Sequence, residues 1–179
     1  MQFTGRCWVY SDDVNTDVIF PGKYTYTLTD VNQFAAHALE DLDPEFAKLV
    51  QPGDIIVGGK NFGCGSSREQ AAVALKMCGV PVIIAKSFAR IFFRNCVNNG
   101  VLPIICPEAV AVIQKGDVVT VDVTQATITL ARAPAQVFSF PQISPSMQAI
   151  IEAGGLIPML RRKLGTEHLP MPEIKFTAE

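Results

Sequence analysis

Apolar and polar residues follow two alternating patterns along the first part of this sequence. Nearly every residue is apolar at residues 54–57, 81–85 and 101–105, which is typical of strands buried on both faces. Between them, residues 70–77 and 86–96 carry apolar side chains at the three-to-four-residue spacing of a helix. Strand and helix units in succession predict parallel strands joined by crossovers.

Alternation of apolar and polar positions marks the later strands. Residues 117–123 and 126–130 alternate and predict a hairpin, and residues 136–140 extend it. An N-terminal strand is predicted at residues 3–10, and residues 18–20 form a short apolar return after a polar turn. Further helices are predicted at residues 29–40, 44–50, 108–114, 144–153 and 156–164. The pattern therefore predicts an α/β domain over residues 1–164, with a mostly parallel central sheet, flanking helices, an additional β-hairpin region and a tail at residues 165–179.

Composition narrows the class of protein. The chain has 179 residues, 49% of them apolar and 18% charged, and a net charge of −2. This is globular but rather apolar for a soluble protein, and the surplus indicates either a buried partner surface or a large core. No basic cluster indicates nucleic-acid binding. No stretch approaches the roughly 20 apolar residues that span a bilayer, and the N-terminus lacks a signal-peptide pattern. We therefore expect a cytoplasmic protein that binds neither nucleic acid nor membrane.

Five cysteines are spread along the chain without a Cys-x-x-Cys pair. An odd number in a cytoplasmic protein argues against a disulfide framework, and we expect no metal site within this chain. Four of them lie in apolar surroundings and are predicted to be buried. Cys64 differs because it lies in a glycine-rich turn, which makes it a candidate for contact with a ligand or cofactor.

That turn, residues 58–69, joins a predicted strand to a predicted helix and carries the richest chemistry of the sequence. A helix start offers free N–H groups and the positive end of the helix dipole to an anion. Ser66, Ser67 and Arg68 stand at this point, and a guanidinium grips carboxylate or phosphate through two parallel hydrogen bonds. The same residues also fit a helix-capping box, Ser66 with Glu69. Arg68 replaces the third glycine of a dinucleotide loop, so we predict an anion-binding turn with a carboxylate favoured.

Two other groups of charged residues have two interpretations each. Asp12 and Asp13 fit a turn-forming role, whereas Asp17 either belongs to the same turn or orients a group in a site. Arg90 and Arg94 are four residues apart and share one helix face, either as a solvated, ion-paired edge or as a contact with a partner chain.

Several stretches in a fixed order resemble one family, the small subunits of 3-isopropylmalate dehydratase, which are equivalent to the swivel domain of aconitase. The resemblance covers about residues 3–164 and is strongest in the Gly-Cys-Gly-Ser-Ser-Arg-Glu run. The matching stretches are Asn15-Thr16-Asp17 with Ile19 and Pro21-Gly22, residues 61–69, residues 86–95 and residues 150–156.

The resemblance implies a β/β/α swivel fold and a hydro-lyase of leucine biosynthesis that is split over two chains. The large subunit would hold a [4Fe–4S] cluster on its own cysteines, in a heterodimer or heterotetramer. The isolated small subunit would be inactive, with a homo-oligomer as its possible form. Ser66 would be the general base, and Ser67 and Arg68 would hold a substrate carboxylate. The resemblance further implies substrate-binding roles for Lys23, Tyr24 and Tyr26 and orienting roles for Asp17 and Cys64.

The loop at residues 23–28 departs from the family pattern. Thr25-Tyr26-Thr27 follows Tyr24, so the loop has no arginine for a distal carboxylate and no leucine to line an isopropyl pocket. A dicarboxylate such as 2-isopropylmalate, citramalate or dimethylmalate is therefore favoured over a homoaconitate-like tricarboxylate. A non-catalytic module that binds carboxylates or regulates a partner is the alternative from another class.

Overall fold

The computed structural model describes residues 1–28 and 30–170, which form seven strands, eight α-helices and one 3₁₀ helix. The strands are β1 Gln2–Val9, β2 Ile55–Gly58, β3 Val82–Ala85, β4 Leu102–Ile105, β5 Val118–Asp122, β6 Thr127–Leu130 and β7 Ala133–Ser139. The α-helices are α1 Thr16–Ile19, α2 Gly22–Thr25, α3 Phe46–Leu49, α4 Glu69–Met77, α5 Arg90–Asn98, α6 Pro107–Val110, α7 Pro145–Glu152 and α8 Leu156–Leu164, and the 3₁₀ helix spans Val31–His37.

All seven strands join one mixed sheet in the order β4-β3-β2-β1-β5-β6-β7. The first four are mutually parallel, with Ile56 opposite Trp8 on one side and Ile83 on the other. All residues of β2 and β3 are buried, as their apolar sequences predict. Parallel strands put their carboxyl ends at one edge of a sheet, and the loops that leave β1, β2 and β3 therefore meet there.

The other half of the sheet is antiparallel. β5 pairs with β1, with Val121 opposite Phe3, and the predicted hairpin of β5 and β6 continues into β7. The sheet thus has as many antiparallel neighbours as parallel ones, because β7 and the β1–β5 pairing extend the antiparallel region beyond one hairpin.

Hydrophobic clusters cover both faces of the sheet. Because successive residues of a strand point to opposite faces, Ile56 and Ile83 belong to one cluster whereas Ile55 and Ile84 belong to the other. The first cluster contains Phe20, Phe34, Phe62 and Phe92 and the buried face of α4. It fixes the helices and turns that lead to the carboxyl edge of the parallel strands.

Two predicted elements differ in kind from the structure. Residues 18–20 belong largely to a helical turn, α1, because the Asn15 side chain accepts the Val18 N–H at 2.8 Å and caps it. The helix predicted at residues 29–40 is the 3₁₀ helix Val31–His37, capped by Asp30, and Thr29 lies outside the described residues.

Within the described ranges, no helix is long and apolar enough to cross a membrane.

Candidate active site

Three loops meet at the carboxyl edge of the parallel strands, and backbone hydrogen bonds join them. The loop after β2 binds the loop after β1 through Gly63 N–H to the Val14 carbonyl at 2.7 Å and Thr16 N–H to the Cys64 carbonyl at 2.8 Å. It binds the loop after β3 through Phe62 N–H to the Ser87 carbonyl and Ala89 N–H to the Phe62 carbonyl, both at 3.0 Å. The glycine-rich turn is therefore held on both sides by rigid backbone.

Gly63 shows why this turn needs glycine. Its φ is +78°, and a Cβ placed there would lie 2.1 Å from the Phe92 ring. Phe62 and Phe92 are buried and pack edge to face at 5.8 Å between ring centroids. The turn thus packs directly on buried aromatic rings, which fix its position relative to the core.

The two serines are exposed and do not cap the helix. α4 begins at Glu69 with Arg68 as its N-cap, and no side chain supplies the cap hydrogen bond, so the capping-box interpretation of Ser66 is wrong. The Ser66 carbonyl accepts the Thr16 hydroxyl at 2.8 Å, which fixes its backbone, while its own hydroxyl makes no hydrogen bond within the described part of the chain. Nor do the backbone N–H groups of residues 65–69 find an acceptor among residues 1–28 and 30–170. Unpaired donors at a helix start suit an anion.

Arg68 is held in place by two residues from the N-terminal loops. Its Nη2 lies 2.6 Å from the Asp17 carboxylate, and its Nη1 donates to the Thr25 hydroxyl at 3.3 Å. The α2 backbone also lies against it, since a Cβ on Gly22 would lie 2.7 Å from Nη1. The Arg68 side chain is 21% exposed, so the guanidinium is partly desolvated but accessible. Asp17 thus contacts a site residue of its own chain.

Ser66 borders an open cleft of about 590 Å³. The lining residues are Asn61, Gly63, Gly65, Ser66, Phe88, Ala89, Arg90, Ile91 and Arg94. Arg90 and Arg94 are exposed, and neither has an acidic partner among the residues that the structure describes. Within residues 1–28 and 30–170 the structure therefore shows a solvated helix face without ion pairs, and two exposed cations flank the cleft. Asp17, Arg68 and α2 do not line this cleft and form a second group beside it.

The predicted loop residues contact one another more than the serine turn. Lys23 Nζ lies 2.6 Å from Glu40, and the Tyr24 hydroxyl donates to the same carboxylate at 3.0 Å. Tyr24 also stacks on His37, with ring centroids 3.8 Å apart. Tyr26 is 70% exposed.

Cys64 is half-buried and donates its thiol to the Asp13 carbonyl at 3.5 Å. The other four cysteines are buried and free, as predicted. Burial raises the pKa of Cys7 and Cys78 to about 12, so neither is a thiolate at neutral pH. No group of three or more His, Cys, Asp or Glu residues among the described ones is arranged to hold a metal ion.

Sequence reasoning did not identify Thr16, Thr25 and Glu40 as residues that support the site. Thr16 fixes the Ser66 carbonyl, Thr25 binds Arg68, and Glu40 binds Lys23 and Tyr24. Thr16 lies within the Asn15-Thr16-Asp17 stretch that resembles the family, and this stretch is a signal for it in the sequence. No local pattern marks Glu40.

Comparisons with known proteins give the family. Residues 16–109 match the aconitase C-terminal domain. The 3-isopropylmalate dehydratase small subunit of Heliobacterium modesticaldum is 50% identical over 165 residues, 92% of this chain and 98% of that protein. The same subunit of Aquifex aeolicus is 49% identical over 171 residues, 93% of this chain and 99% of that protein.

The fold agrees with these relatives. A crystal structure of 3-isopropylmalate dehydratase from Methanocaldococcus jannaschii aligns with a TM-score of 0.85 at 42% identity and covers 95% of this chain and 100% of that chain. The predicted α/β swivel fold and the resemblance found in the sequence are both confirmed. The chain therefore belongs to the family of 3-isopropylmalate dehydratase small subunits, whose members carry the aconitase-type swivel domain.

Proposed function

We propose that this small subunit provides the general base and a carboxylate grip of a two-chain hydro-lyase that acts on a branched malate. The preferred reaction is the conversion of 2-isopropylmalate to 3-isopropylmalate through isopropylmaleate. The observation that carries this proposal is the Ser66 hydroxyl, which has no hydrogen-bond partner among residues 1–28 and 30–170, is exposed on a rigid turn at the start of α4 and borders an open cleft.

Ser66 would remove a proton from the carbon beside a substrate carboxylate. A serine hydroxyl is a weak base, so its alkoxide needs stabilisation by preorganised donors in a site closed to water. The N–H groups of residues 65–69, which have no acceptor in the described part of the chain, and the positive end of the α4 dipole supply such donors. A partner that covers the open cleft would exclude the water.

Arg68 and Ser67 would hold the substrate carboxylate next to that carbon. The contact of Arg68 with Asp17 and Thr25 fixes the direction of the guanidinium before substrate binds, which lowers the entropy cost of binding. Asp17 would then act by orienting Arg68. Cys64 lies two residues before Ser66, and its thiol contact with the Asp13 carbonyl helps to fix the turn.

The chain's own side chains do not suit a [4Fe–4S] cluster. Its five cysteines are free thiols, and within residues 1–28 and 30–170 no three or more His, Cys, Asp or Glu residues converge to hold a metal. A cluster held by the large subunit, as family membership implies, would supply a Lewis acid for the leaving hydroxyl. This division of roles predicts a heteromeric enzyme, heterodimer or heterotetramer, whose small subunit has no activity alone.

The surroundings of Arg68 favour a substrate with two carboxylates. The guanidinium donates a hydrogen bond to the neutral Thr25 of this loop, and the ammonium of Lys23 is paired with Glu40 at 2.6 Å. A third carboxylate would therefore meet no free cation of this loop. 2-Isopropylmalate, citramalate and dimethylmalate fit this condition, and a homoaconitate-like substrate does not.

Replacing Ser66 tests the proposal. In the reconstituted pair, Ser66→Ala should lower kcat by about 10²–10⁴-fold, the usual contribution of a general base, and change KM only slightly. Steady-state rates with 2-isopropylmalate measure this. Ser146→Ala, at an exposed serine of α7, is the matched control and should leave both constants unchanged.

A non-catalytic carboxylate-binding module is the alternative. It would bind alkylmalates equally well with and without Ser66 and show no turnover with any large subunit. Full activity of Ser66→Ala would rule out Ser66 as the base, and activity of the small subunit by itself would refute the two-chain mechanism.

A further inference from the structure

Glu40 connects three side chains around α2. One carboxylate oxygen lies 2.6 Å from Lys23 Nζ and accepts the Tyr24 hydroxyl at 3.0 Å, and the other lies 2.7 Å from His37 Nδ1. The Tyr24 ring is stacked on His37 and lies 4.8 Å below the Lys23 ammonium. The Glu40 side chain is 25% exposed, so these contacts are partly shielded from water.

The backbone before Glu40 is itself unusual. Leu39 has a φ of +58°, an uncommon conformation for a bulky residue, and it is fully buried. Its N–H donates to the Ile19 carbonyl of α1 at 2.9 Å. Such a conformation persists only where the surroundings impose it, and here it fixes the point from which the Glu40 side chain extends.

α2 therefore lies between two charged groups. On one side Glu40 binds Lys23 and Tyr24, and on the other Arg68 binds Thr25 and contacts Gly22. The residues involved, 22–25, are consecutive and make up α2. A shift of α2 where it binds Glu40 therefore also moves the groups that lie against Arg68.

We propose that Glu40 is a positioning residue that holds α2 against Arg68 and thereby sets which alkyl group of a malate fits beside the guanidinium. This inference rests on the proposed function of Arg68 and extends it to substrate choice. Hydrogen bonds from Lys23, His37 and Tyr24 outweigh the effect of burial and lower the pKa of Glu40, so the carboxylate stays charged at neutral pH. Lys23 then acts through Glu40 and not on the substrate.

Hydrogen exchange of the full chain tests the positioning role without any turnover. In Glu40→Ala, the amides of Tyr24, Thr27 and Leu28, which bond within residues 21–28, should exchange at least about tenfold faster. The NMR signal of the Arg68 Nε–H group should shift. Glu45→Ala is the matched control, because Glu45 forms a similar ion pair with Lys48 at 2.8 Å away from α2. Unchanged exchange and an unchanged Arg68 signal in Glu40→Ala would overturn the proposal.

Kinetics of the reconstituted pair test specificity. Glu40→Ala should raise KM for 2-isopropylmalate about tenfold, change kcat less than threefold and reduce the discrimination against citramalate, because α2 no longer shapes the site. Glu40→Gln, which keeps an acceptor for Tyr24, should have a smaller effect. A loosened α2 with unchanged KM and discrimination would overturn the role in specificity.

The variants Lys23→Met and Glu40→Gln, alone and combined, show whether Lys23 acts through Glu40 or contacts the substrate directly. If Lys23 acts through Glu40, the effects of the two changes on KM are not additive, and the double variant resembles either single variant. Additive losses would show that Lys23 meets the substrate directly and would overturn that part of the inference. If the wild-type pair turns over no alkylmalate, the proposed function fails, whereas exchange and the Arg68 signal still decide whether Glu40 positions α2.

Discussion

Arg68 is held in position by neighbours that lie far from it in the sequence. Asp17 and Thr25, which contact its guanidinium, are 51 and 43 residues away. A free arginine side chain has many rotamers, and fixing it in advance moves this entropy cost from binding to folding. The sequence alone indicated the residue type that binds a carboxylate, but the direction of the side chain depends on these contacts.

Gly22 gives a test of this direction. Gly22→Ala places a Cβ 2.7 Å from Arg68 Nη1 and 3.2 Å from the Asp17 carboxylate. The end of a long side chain can move aside, so the fold should persist while the guanidinium shifts. We expect kcat/KM for the alkylmalate to fall by about 10–100-fold in the reconstituted pair, and the free energy of unfolding to change by less than about 1 kcal/mol.

The control for this change is Gly116→Ala. A Cβ there meets no atom within 4 Å, but the residue has a φ of +91°. This variant should therefore lose stability, by roughly 1 kcal/mol, and keep its activity. If Gly22→Ala behaves in the same way, the position of Arg68 is not critical.

At the scale of elements, long apolar patterns were predictive and short polar ones were not. The strands β2, β3 and β4, helix α4 and the C-terminal helices α7 and α8 lie within a few residues of their predicted bounds. Ser144 caps α7 by accepting the Met147 N–H at 3.2 Å, whereas Ser66, in a similar pattern, caps nothing. The difference is tertiary, because Thr16 and the neighbouring loops fix the Ser66 backbone outside the helix.

Short segments depend even more on their surroundings. Val18–Phe20 could be a strand or a helical turn by composition, and the Asn15 cap decides for the turn. Glu40 lies sixteen residues from the Tyr24 hydroxyl that it binds, and no periodic pattern links the two. The sequence predicted the location of the glycine-rich turn, and the structure was needed for the residues that orient it.

Helix α5 presents an exposed, positively charged face at the Ser66 cleft. Arg90 and Arg94 flank the Ser66 cleft beside Ile91, which is 52% exposed, and they pair with no acid in the described part of the chain. Exposed cations around an apolar residue fit an acidic partner surface. Reversing both charges, Arg90→Glu with Arg94→Glu, should weaken association with the large subunit at least tenfold, and salt should weaken the wild-type complex. Titration by isothermal calorimetry measures both effects.

The control is Lys163→Glu, an exposed cation of α8 outside the cleft, which should bind normally. At saturating large subunit, the double variant should keep its kcat. An unchanged Kd would exclude a partner contact, and a lost kcat at saturation would place the arginines on the substrate instead.

On the scale of the whole molecule, the site depends on the junction where β1 meets β2, because the loops that leave these strands carry Asp17 and Ser66. Asp54, which is 5% exposed, lies at this junction. Its carboxylate accepts the Trp8 Nε1–H at 2.8 Å, Arg6 Nη2 at 3.0 Å and the Gln51 N–H at 3.1 Å. It thereby ties the middle of β1 to the segment that leads into β2.

Loss of this carboxylate should therefore destabilise the entire fold. Burial alone would raise the pKa of Asp54, but the hydrogen bonds from Trp8, Gln51 and Arg6 outweigh burial and lower the pKa below its ordinary value of 3.8. A lowered folded-state pKa stabilises the fold above the unfolded pKa, and this contribution is lost as the pH falls through 3.8 towards the folded value.

Asp54→Asn should cost about 2–4 kcal/mol of unfolding free energy at pH 7, and the gap to wild type should narrow below about pH 4. Urea denaturation at pH 7 and pH 3 measures both, with the exposed Asp41→Asn as control; a gap that stayed constant with pH would show that shape and not charge holds the junction.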